Sequence, residues 1–389
     1  MLWSKYMLGL MPLVRFGLFF TITPLLISIS GCAYQHQKSS IVANTHKIPY
    51  PTIDTELGEK LQPNESILAA QISEEIGQNI RKQYAAGHVL RDAHPKAHGC
   101  VRAEFHVSKS LPSNLAKGIF IADKTYSAWI RFSNASGDAT QADNKKDARG
   151  MAIKILGVTG KKIMENDNQA MTQDFIMINH PVFFVNQPDR YLSIIRNINS
   201  ESTLKKLQIP FVLGLQGTMN ALKARNSIIS NPIQARYWSM VPYQLGLGAD
   251  RQAVKYSARP CSQNITLVPD HPNHDFLREA LRNSLQKGDA CMEFLIQPRT
   301  SNKMLVEDSM TEWKEAQAPF YQVATIHIPQ QNFDTPAQNE FCENLSFTPW
   351  HSLPEHRPLG AINRLRKVIY ENISAIRHEM NSTQRKEPL

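Results

Sequence analysis

The chain has 389 residues, of which 42% are hydrophobic and 20% are charged. A chain of this length can bury a sizeable core, and this balance is typical of a folded globular protein rather than a disordered one. The formal net charge is +9, but the basic residues are dispersed along the sequence and form no dense run. Proteins that bind nucleic acids usually carry a concentrated basic stripe, so the composition argues against that class of function.

The first 32 residues have the pattern of an export signal. Lys5 and Arg15 precede an apolar stretch at residues 16–29, and small residues lead to Cys32. This order is typical of a secretory signal peptide. The Ile-Ser-Gly-Cys tetrad that ends at Cys32 resembles the lipobox of bacterial lipoproteins, which implies cleavage before Cys32 and a lipid on its thiol. We therefore expect an exported protein, lipid-anchored in the bacterial cell envelope on the periplasmic side; an ordinary signal or an uncleaved anchor is the alternative.

The rest of the chain divides into a tether and a domain. Residues 33–60 are polar and lack helical or strand periodicity, so we interpret them as a tether. Residues 61–389 contain no internal repeat and no low-complexity linker, which predicts one domain. Four further cysteines could pair in an oxidising compartment, although no spacing indicates which: Cys100, Cys261, Cys291 and Cys342. The zinc motifs Cys-x-x-Cys and His-Glu-x-x-His do not occur, so the sequence does not predict a zinc site.

Apolar periodicity predicts the elements of the first half of this domain. Apolar residues recur every four positions after Asn64, which predicts a helix with Asn64 at its N-cap. Strand-like runs follow at residues 101–107, 126–133 and 150–156. Residues 174–185 are almost wholly apolar, so we expect them to be buried.

The second half begins with residues 201–230, which are predicted to be mostly helical with breaks at Pro210 and Gly217. Further strands are predicted at residues 253–257, 265–268, 291–297 and 322–328, with helices at 275–286, closed by Gly288, and at 358–381. Two groups of antiparallel-looking strands with helices gathered elsewhere predict an α+β domain.

The last predicted helix places a tyrosine beside its buried face. At roughly 100° per residue, Arg366, Tyr370 and Arg377 fall within about 40° of one another, next to an apolar stripe. Two nearby positive charges favour the ionised form of a tyrosine, and a phenolate is a hard oxygen ligand suited to ferric iron. The alternative is a hydroxyl that is hydrogen-bonded at the rim of the core, because Arg-x-x-x-Tyr often arises by chance.

Five segments, in the order of the family, resemble haem catalases. They are Arg91-Asp-Ala-His94, Trp129-Ile-Arg131-Phe-Ser133, Asp147-Ala-Arg149-Gly150, Pro181-Val-Phe183-Phe184 and Arg366-Lys-Val-Ile-Tyr370, with Arg377 seven residues beyond. The resemblance spans residues 91–377 and is greatest to the smaller catalase-related peroxidases. It implies an antiparallel β-barrel with surrounding helices and a C-terminal helix on the proximal side of a haem.

The resemblance also implies a role for each matching residue. Tyr370 would bind the iron of haem b (heme b), as the tyrosinate of the family does. His94 would take a proton from bound peroxide and return it to the departing oxygen, with Ser133 orienting the imidazole. The positions that match cofactor contacts are Arg91, Arg131 and Arg377 for the propionates, Phe183 for the ring face and Arg366 for the charge of the tyrosinate.

The distal amide of the family falls in a segment that differs from the usual pattern. A gap-free match places Ile178 at the position of the family's distal asparagine, and Asn179 follows it. We take Asn179 as the candidate for the amide that positions peroxide, which requires the backbone to shift by one residue.

The function implied is a haem-dependent oxidoreductase, a catalase or peroxidase, that acts on hydrogen peroxide or an organic hydroperoxide. A peroxidase would also need an electron donor, which the sequence does not identify, and the family likeness adds a homo-oligomer. One alternative is isomerisation of a fatty-acid hydroperoxide, as in allene oxide synthase-like relatives. Another is a non-catalytic haem-binding protein of the envelope.

Overall fold

The computed structural model describes residues 48–167, 170–263, 266–385 and 387–388. The predicted export signal and Cys32 therefore lie outside the described residues. The helices and strands, in chain order, are α1 (Glu65–Gln83), β1 (Ala97–Val107), β2 (Thr125–Asn134), β3 (Arg149–Leu156), β4 (Thr172–Ile178), α2 (Pro188–Asn199), α3 (Thr203–Leu207), α4 (Ile209–Arg225), β5 (Tyr237–Trp238), β6 (Tyr243–Leu245), β7 (Gln252–Pro260), α5 (Phe276–Lys287), β8 (Ala290–Pro298), β9 (Tyr321–Ile328), α6 (Pro336–Asn344) and α7 (Ala361–Met380).

The strands form one antiparallel sheet that closes into a barrel. Their order is β5-β4-β3-β2-β1-β9-β8-β7-β6, and β5 also pairs with β7. The closing pairs are Tyr237 with Ala258 and Trp238 with Ser257, while β6 pairs with the earlier part of β7. Eight strands therefore complete the ring, and the predicted α+β fold with an antiparallel β-barrel and surrounding helices is confirmed.

The interior of the barrel is filled with aromatic side chains. The ring centroids of Phe175 and Phe294 lie 4.8 Å apart, and those of Phe105 and Phe294 lie 5.1 Å apart. His356 enters the same core, where its Nδ1 lies 2.9 Å from the Tyr256 hydroxyl. Because this packing leaves the barrel interior closed, a ligand site must lie outside the barrel wall.

A second core lies between the outer wall of the barrel and the helices. Ile72 and Ile76 of α1 and Leu365 and Ile369 of α7 are buried in it, together with residues of α2 and α4. The apolar stripe of α7 is the one that the sequence predicts at 100° per residue. This second core places the helix that carries Tyr370 against the barrel.

Most predicted elements are observed, but one predicted strand is not. Residues 266–268 of the predicted strand 265–268 form no strand, and the Leu267 side chain is 91% exposed. Thr266 bonds to a side chain instead of a strand, because its N–H donates to Gln234 Oε1 at 3.0 Å. Only the first part of the predicted buried run 174–185 is a strand, because β4 ends at Ile178.

The helices differ from the prediction at their ends and breaks. Pro210 lies in the first turn of α4 and does not break it, since the first turn needs no donor there. The break falls at Gly214, which has a φ of 67°, rather than at the predicted Gly217. Asn64 occupies the N-cap position of α1 but its side chain makes no capping bond; the Glu65 carboxylate instead accepts from the Gln62 N–H at 2.9 Å.

The last part of the predicted tether packs on the domain. Residues 48–60 include Leu57 and Glu59, and both side chains are buried. The Glu59 carboxylate lies 2.7 Å from the buried guanidinium of Arg364 on α7, which also contacts Glu65 and Glu307. These contacts assign residues 48–60 to the domain, so the prediction of a tether now concerns residues 33–47, outside the described part.

Two disulfides join the four cysteines whose pairing the sequence does not indicate. Cys100 on β1 is bonded to Cys342 on α6, and Cys261 is bonded to Cys291 at the start of β8. The first bond fixes α6 to the barrel wall. Among the described residues, no helix is both long enough and apolar enough to cross a membrane.

Candidate functional site

A large cavity lies between the outer barrel wall and helix α7. Its volume is about 1310 Å³, counting the part that is open to solvent. The predicted site residues that line it are Arg91, His94, Ser133, Arg131, Phe183, Arg366, Tyr370 and Arg377.

His94 is held rigidly just before strand β1. Its backbone has a φ of 61°, a strained conformation for a residue with a side chain. The imidazole Nδ1 lies 2.9 Å from the Ser133 hydroxyl, and the His94 carbonyl accepts from the Arg131 guanidinium at 2.8 Å. Burial, aided by the charge of Arg131, lowers the pKa of His94 to about 3. The imidazole is therefore neutral at neutral pH and able to accept a proton.

Glycine is required at position 150, where strand β3 passes the imidazole. A Cβ atom on Gly150 would lie 2.5 Å from His94 Nδ1 and 2.8 Å from the Ser133 hydroxyl oxygen. Any larger residue would push against both partners of the His94–Ser133 contact. The Arg149-Gly150 pair of the sequence motif thus makes room for His94.

Three arginines converge on one carboxylate at the rim of the cavity. Arg91 Nη1 lies 2.6 Å from the Glu343 carboxylate, and Arg377 and Arg131 approach it to 3.8 and 3.9 Å. Burial lowers the pKa of Arg131 to about 9 and that of Arg377 to about 10, which leaves both protonated at neutral pH. Three positive charges therefore face a single negative one.

This arginine cluster has bonding capacity left over. Arg131 Nε and one Glu343 oxygen are buried without a hydrogen-bond partner, whereas Arg91 Nη1 is engaged by the other Glu343 oxygen. Orphaned buried donors beside an excess of positive charge fit an incoming anion. The two propionates of a haem are carboxylates of this kind, so the donor set fits that cofactor.

Helix α7 supplies the other wall of the cavity. Tyr370 is partly buried there, and its hydroxyl has no hydrogen-bond partner among the described residues. The Arg366 guanidinium, one turn earlier, lies 5.5 Å from the Phe183 ring centroid, and Phe183 stacks on Phe184. The phenol oxygen therefore lies at the cavity and is available as a ligand.

Asn179 does not join the site, so its interpretation as the distal amide is corrected. The Asn179 side chain accepts from the Arg149 N–H at 2.6 Å and donates to the Ser227 hydroxyl at 2.7 Å. Ile178 pairs with Gly150 and is buried in the second core. Since neither Ile178 nor Asn179 lines the cavity, the backbone shift needed to bring the amide into it does not occur.

Several cavity residues carry no signal in the sequence. Glu343 faces the arginines because the Cys100–Cys342 bond holds the end of α6 against the barrel. Tyr191 of α2 packs edge-on against Phe183, with centroids 5.9 Å apart. These residues come from segments outside the recognised motifs, so only the fold brings them to the cavity.

Known proteins give a context for this geometry. Residues 86–211 match the family model described as catalase. No curated protein matches the chain in sequence. Three solved structures share the fold: a fungal catalase (TM-score 0.58, 17% identity, covering 85% of this chain and 66% of that chain), catalase A from Saccharomyces cerevisiae (TM-score 0.54, 18% identity, 84% and 67%) and a bacterial catalase (TM-score 0.56, 16% identity, 94% and 71%).

The chain spans about two thirds of the length of these catalases. Its likeness to them lies in the closed barrel and surrounding helices, and the family segment at residues 86–211 includes His94, Arg131 and Ser133. Residues 86–211 thus match the catalase family model, and the described part of the chain shares the fold of these catalases.

Proposed function

We propose that the protein binds haem b in the cavity and decomposes peroxide there, as a catalase or a peroxidase. The observation that carries this proposal is the placement of Tyr370 and His94 on different walls of one cavity, with three arginines at its rim. Tyr370 would hold the cofactor from one wall, and the wall that carries His94 would receive the peroxide. The family match supports the same chemistry.

The donor set assigns each residue a task toward the cofactor. Tyr370 would hold the iron, and Arg366 would support the charge of its oxygen. Arg91, Arg131 and Arg377 would hold the propionates. When bound, the haem iron supplies the redox chemistry that peroxide cleavage requires.

His94 would manage the proton of the substrate. Because its imidazole is buried and neutral, it can accept the peroxide proton and later return it to the departing oxygen. Ser133 keeps the ring in place through Nδ1, and the strained backbone is fixed by the bond from Arg131 to the His94 carbonyl. The chain thus provides a preorganised base without a distal amide from Asn179.

The proposal is tested by the visible spectrum of the purified protein, loaded with haem, before and after hydrogen peroxide is added. A high-spin ferric, tyrosinate-like spectrum with oxygen release is expected of a catalase. The same spectrum without oxygen release, but with oxidation of an added donor, indicates a peroxidase. A folded protein that retains no haem would refute the proposal.

A fatty-acid hydroperoxide is a second candidate substrate, favoured by the lining of the cavity. Ile76, Phe184, Ile362 and Ile373 line it, so much of its wall is apolar. An anchor at Cys32, as the sequence predicts, would hold this opening near lipid. Product analysis with a lipid hydroperoxide separates isomerisation, which rearranges the substrate, from peroxidation, which reduces it to an alcohol.

Tyr370→Phe is expected to weaken haem retention on the order of 100-fold or more, because it removes the one ligand atom while keeping the ring. The measurement is haem absorbance and iron content after gel filtration. Tyr191→Phe is the matched control, since Tyr191 lines the same cavity from α2. Equal haem retention in Tyr370→Phe and the unmodified protein would rule out Tyr370 as the ligand.

Gly150→Ala is expected to lower peroxide turnover about 100-fold. The added methyl group would displace the imidazole, and misplacing a catalytic group commonly costs activity on this scale. Turnover is measured beside the melting temperature, which separates misplacement from unfolding. Gly288→Ala is the control, since its Cβ would meet no atom within 4 Å. Unchanged turnover in Gly150→Ala would show that the imidazole position is not critical.

A further inference from the structure

A cluster of metal-ligating side chains lies on the outer face of the barrel, apart from the cavity. Glu104 and His106 are two residues apart on β1, so they point to the same face, and His327 of β9 pairs directly with Glu104. The Glu104 carboxylate oxygen lies 3.0 Å from His106 Nε2 and 3.3 Å from His327 Nδ1. One ligand atom from each residue falls within 4.8 Å of the others.

The spacing of these atoms matches a first-row metal. Ligands about 2.1 Å from a tetrahedral zinc ion stand roughly 3.4 Å from one another. The two distances to the Glu104 oxygen, 3.0 and 3.3 Å, lie slightly below that separation. All three residues are partly exposed, which leaves room for water to complete the coordination.

The remaining imidazole nitrogens are already held by acceptors. His327 Nε2 lies 2.9 Å from the Asp289 carboxylate, and His106 Nδ1 lies 3.0 Å from the Thr125 hydroxyl. Metal-bound histidines usually donate their other N–H to a carboxylate, carbonyl or hydroxyl, which fixes the ring and its tautomer. Each ring therefore already presents its other nitrogen to Glu104.

The charge of the cluster favours a cation. Glu104 and Asp289 contribute two carboxylates around His327. A divalent ion at the three converging atoms would neutralise that charge. Imidazole nitrogens with one carboxylate are ligands suited to zinc and its neighbours rather than to calcium or magnesium.

We propose that Glu104, His106 and His327 form a binding site for a divalent transition metal of the zinc class. Asp289 and Thr125 orient the two imidazoles. The site pins β1 to β9 on the outside of the barrel and is independent of haem. The sequence does not indicate it, because its ligands come from strands 223 residues apart and follow no zinc motif.

The test is calorimetric titration of the purified full chain with Zn²⁺, beside metal analysis after gel filtration. One zinc per chain is expected, with affinity at least tenfold lower in His106→Gln, in His327→Gln and in Glu104→Gln, which preserves the shape of the side chain. Asp289→Asn is expected to weaken binding about 10–100-fold without removing a ligand. His271→Gln, an exposed histidine elsewhere, is the matched control.

The outcomes separate this site from adventitious binding and from the haem proposal. Zinc binding that the His106 and His327 variants leave unchanged, or no zinc binding at all, would overturn the proposal. Haem and iron contents measured in the same samples are expected to be equal in all variants. A variant that loses iron but keeps zinc has a defect in the haem cavity, and this result leaves the zinc site supported.

Discussion

His94→Ala is expected to lower peroxide turnover by about 100- to 10,000-fold while haem remains bound, since this is the usual range for loss of a positioned acid–base group. The imidazole is buried, is neutral because its pKa lies near 3, and is fixed by Ser133. Oxygen release and the haem spectrum, measured on the same sample, separate catalysis from cofactor binding. Because His94 is neutral well above pH 3, turnover should not fall between pH 8 and pH 5 through its protonation.

The control for this prediction is His88→Ala, which removes an exposed imidazole near the same segment. Its turnover should equal that of the unmodified protein. If His94→Ala turned over peroxide at the normal rate, the proton would have to be handled by another group. Loss of haem from His94→Ala would instead assign the residue a structural role.

Arg364→Met is expected to lower the free energy of unfolding by about 3–5 kcal/mol, the usual cost of leaving a buried ion pair without one partner. Its guanidinium is fully buried and lies 2.7 Å from Glu59, 2.7 Å from Glu65 and 2.9 Å from Glu307. Methionine replaces the aliphatic part of the side chain but leaves these carboxylates unpaired. Urea unfolding followed by circular dichroism measures the difference.

Arg196→Met provides the control for Arg364. Arg196 pairs with Glu75 at 2.8 Å, but its side chain is 51% exposed. An exposed pair contributes about 0–1 kcal/mol, so this variant should unfold almost as the unmodified protein does. A change of less than 1 kcal/mol in Arg364→Met would mean that the three carboxylates find other partners or become protonated.

The strands could be predicted from sequence because their alternation is local. Tyr126, Ala128 and Ile130 point into the core of the barrel from one face of β2, and this pattern is visible in the sequence. Barrel closure could not be read in this way, because Tyr237 and Trp238 form only a two-residue strand. The apolar run at 265–268 shows the opposite error: a strand was predicted there although none forms at residues 266–268. Apolar composition alone does not show whether a partner strand is available.

The residues of the site also fall into two groups: those that a local sequence pattern predicts and those that only the fold brings together. His94, Arg131 and Tyr370 each lie in a short segment with recognisable neighbours, and the fold brings all three to one cavity. The role of Asn179 depended on the exact path of the backbone after β4, where its side chain bonds to Arg149 and Ser227 instead of entering the cavity. Glu343 was missed because its approach to Arg91 depends on a bond between β1 and α6, which no local pattern encodes.

The bond between Cys100 and Cys342 has a consequence for the order in which the protein assembles. The two cysteines are 242 residues apart, so the bond cannot form until nearly the whole domain has been synthesised. The carbonyls of Cys342 and Leu345 both accept from Arg91, so these two contacts depend on the position of α6. All nine strands precede α6 in the chain, so the barrel strands are synthesised before the segment that completes the arginine rim of the cofactor cavity.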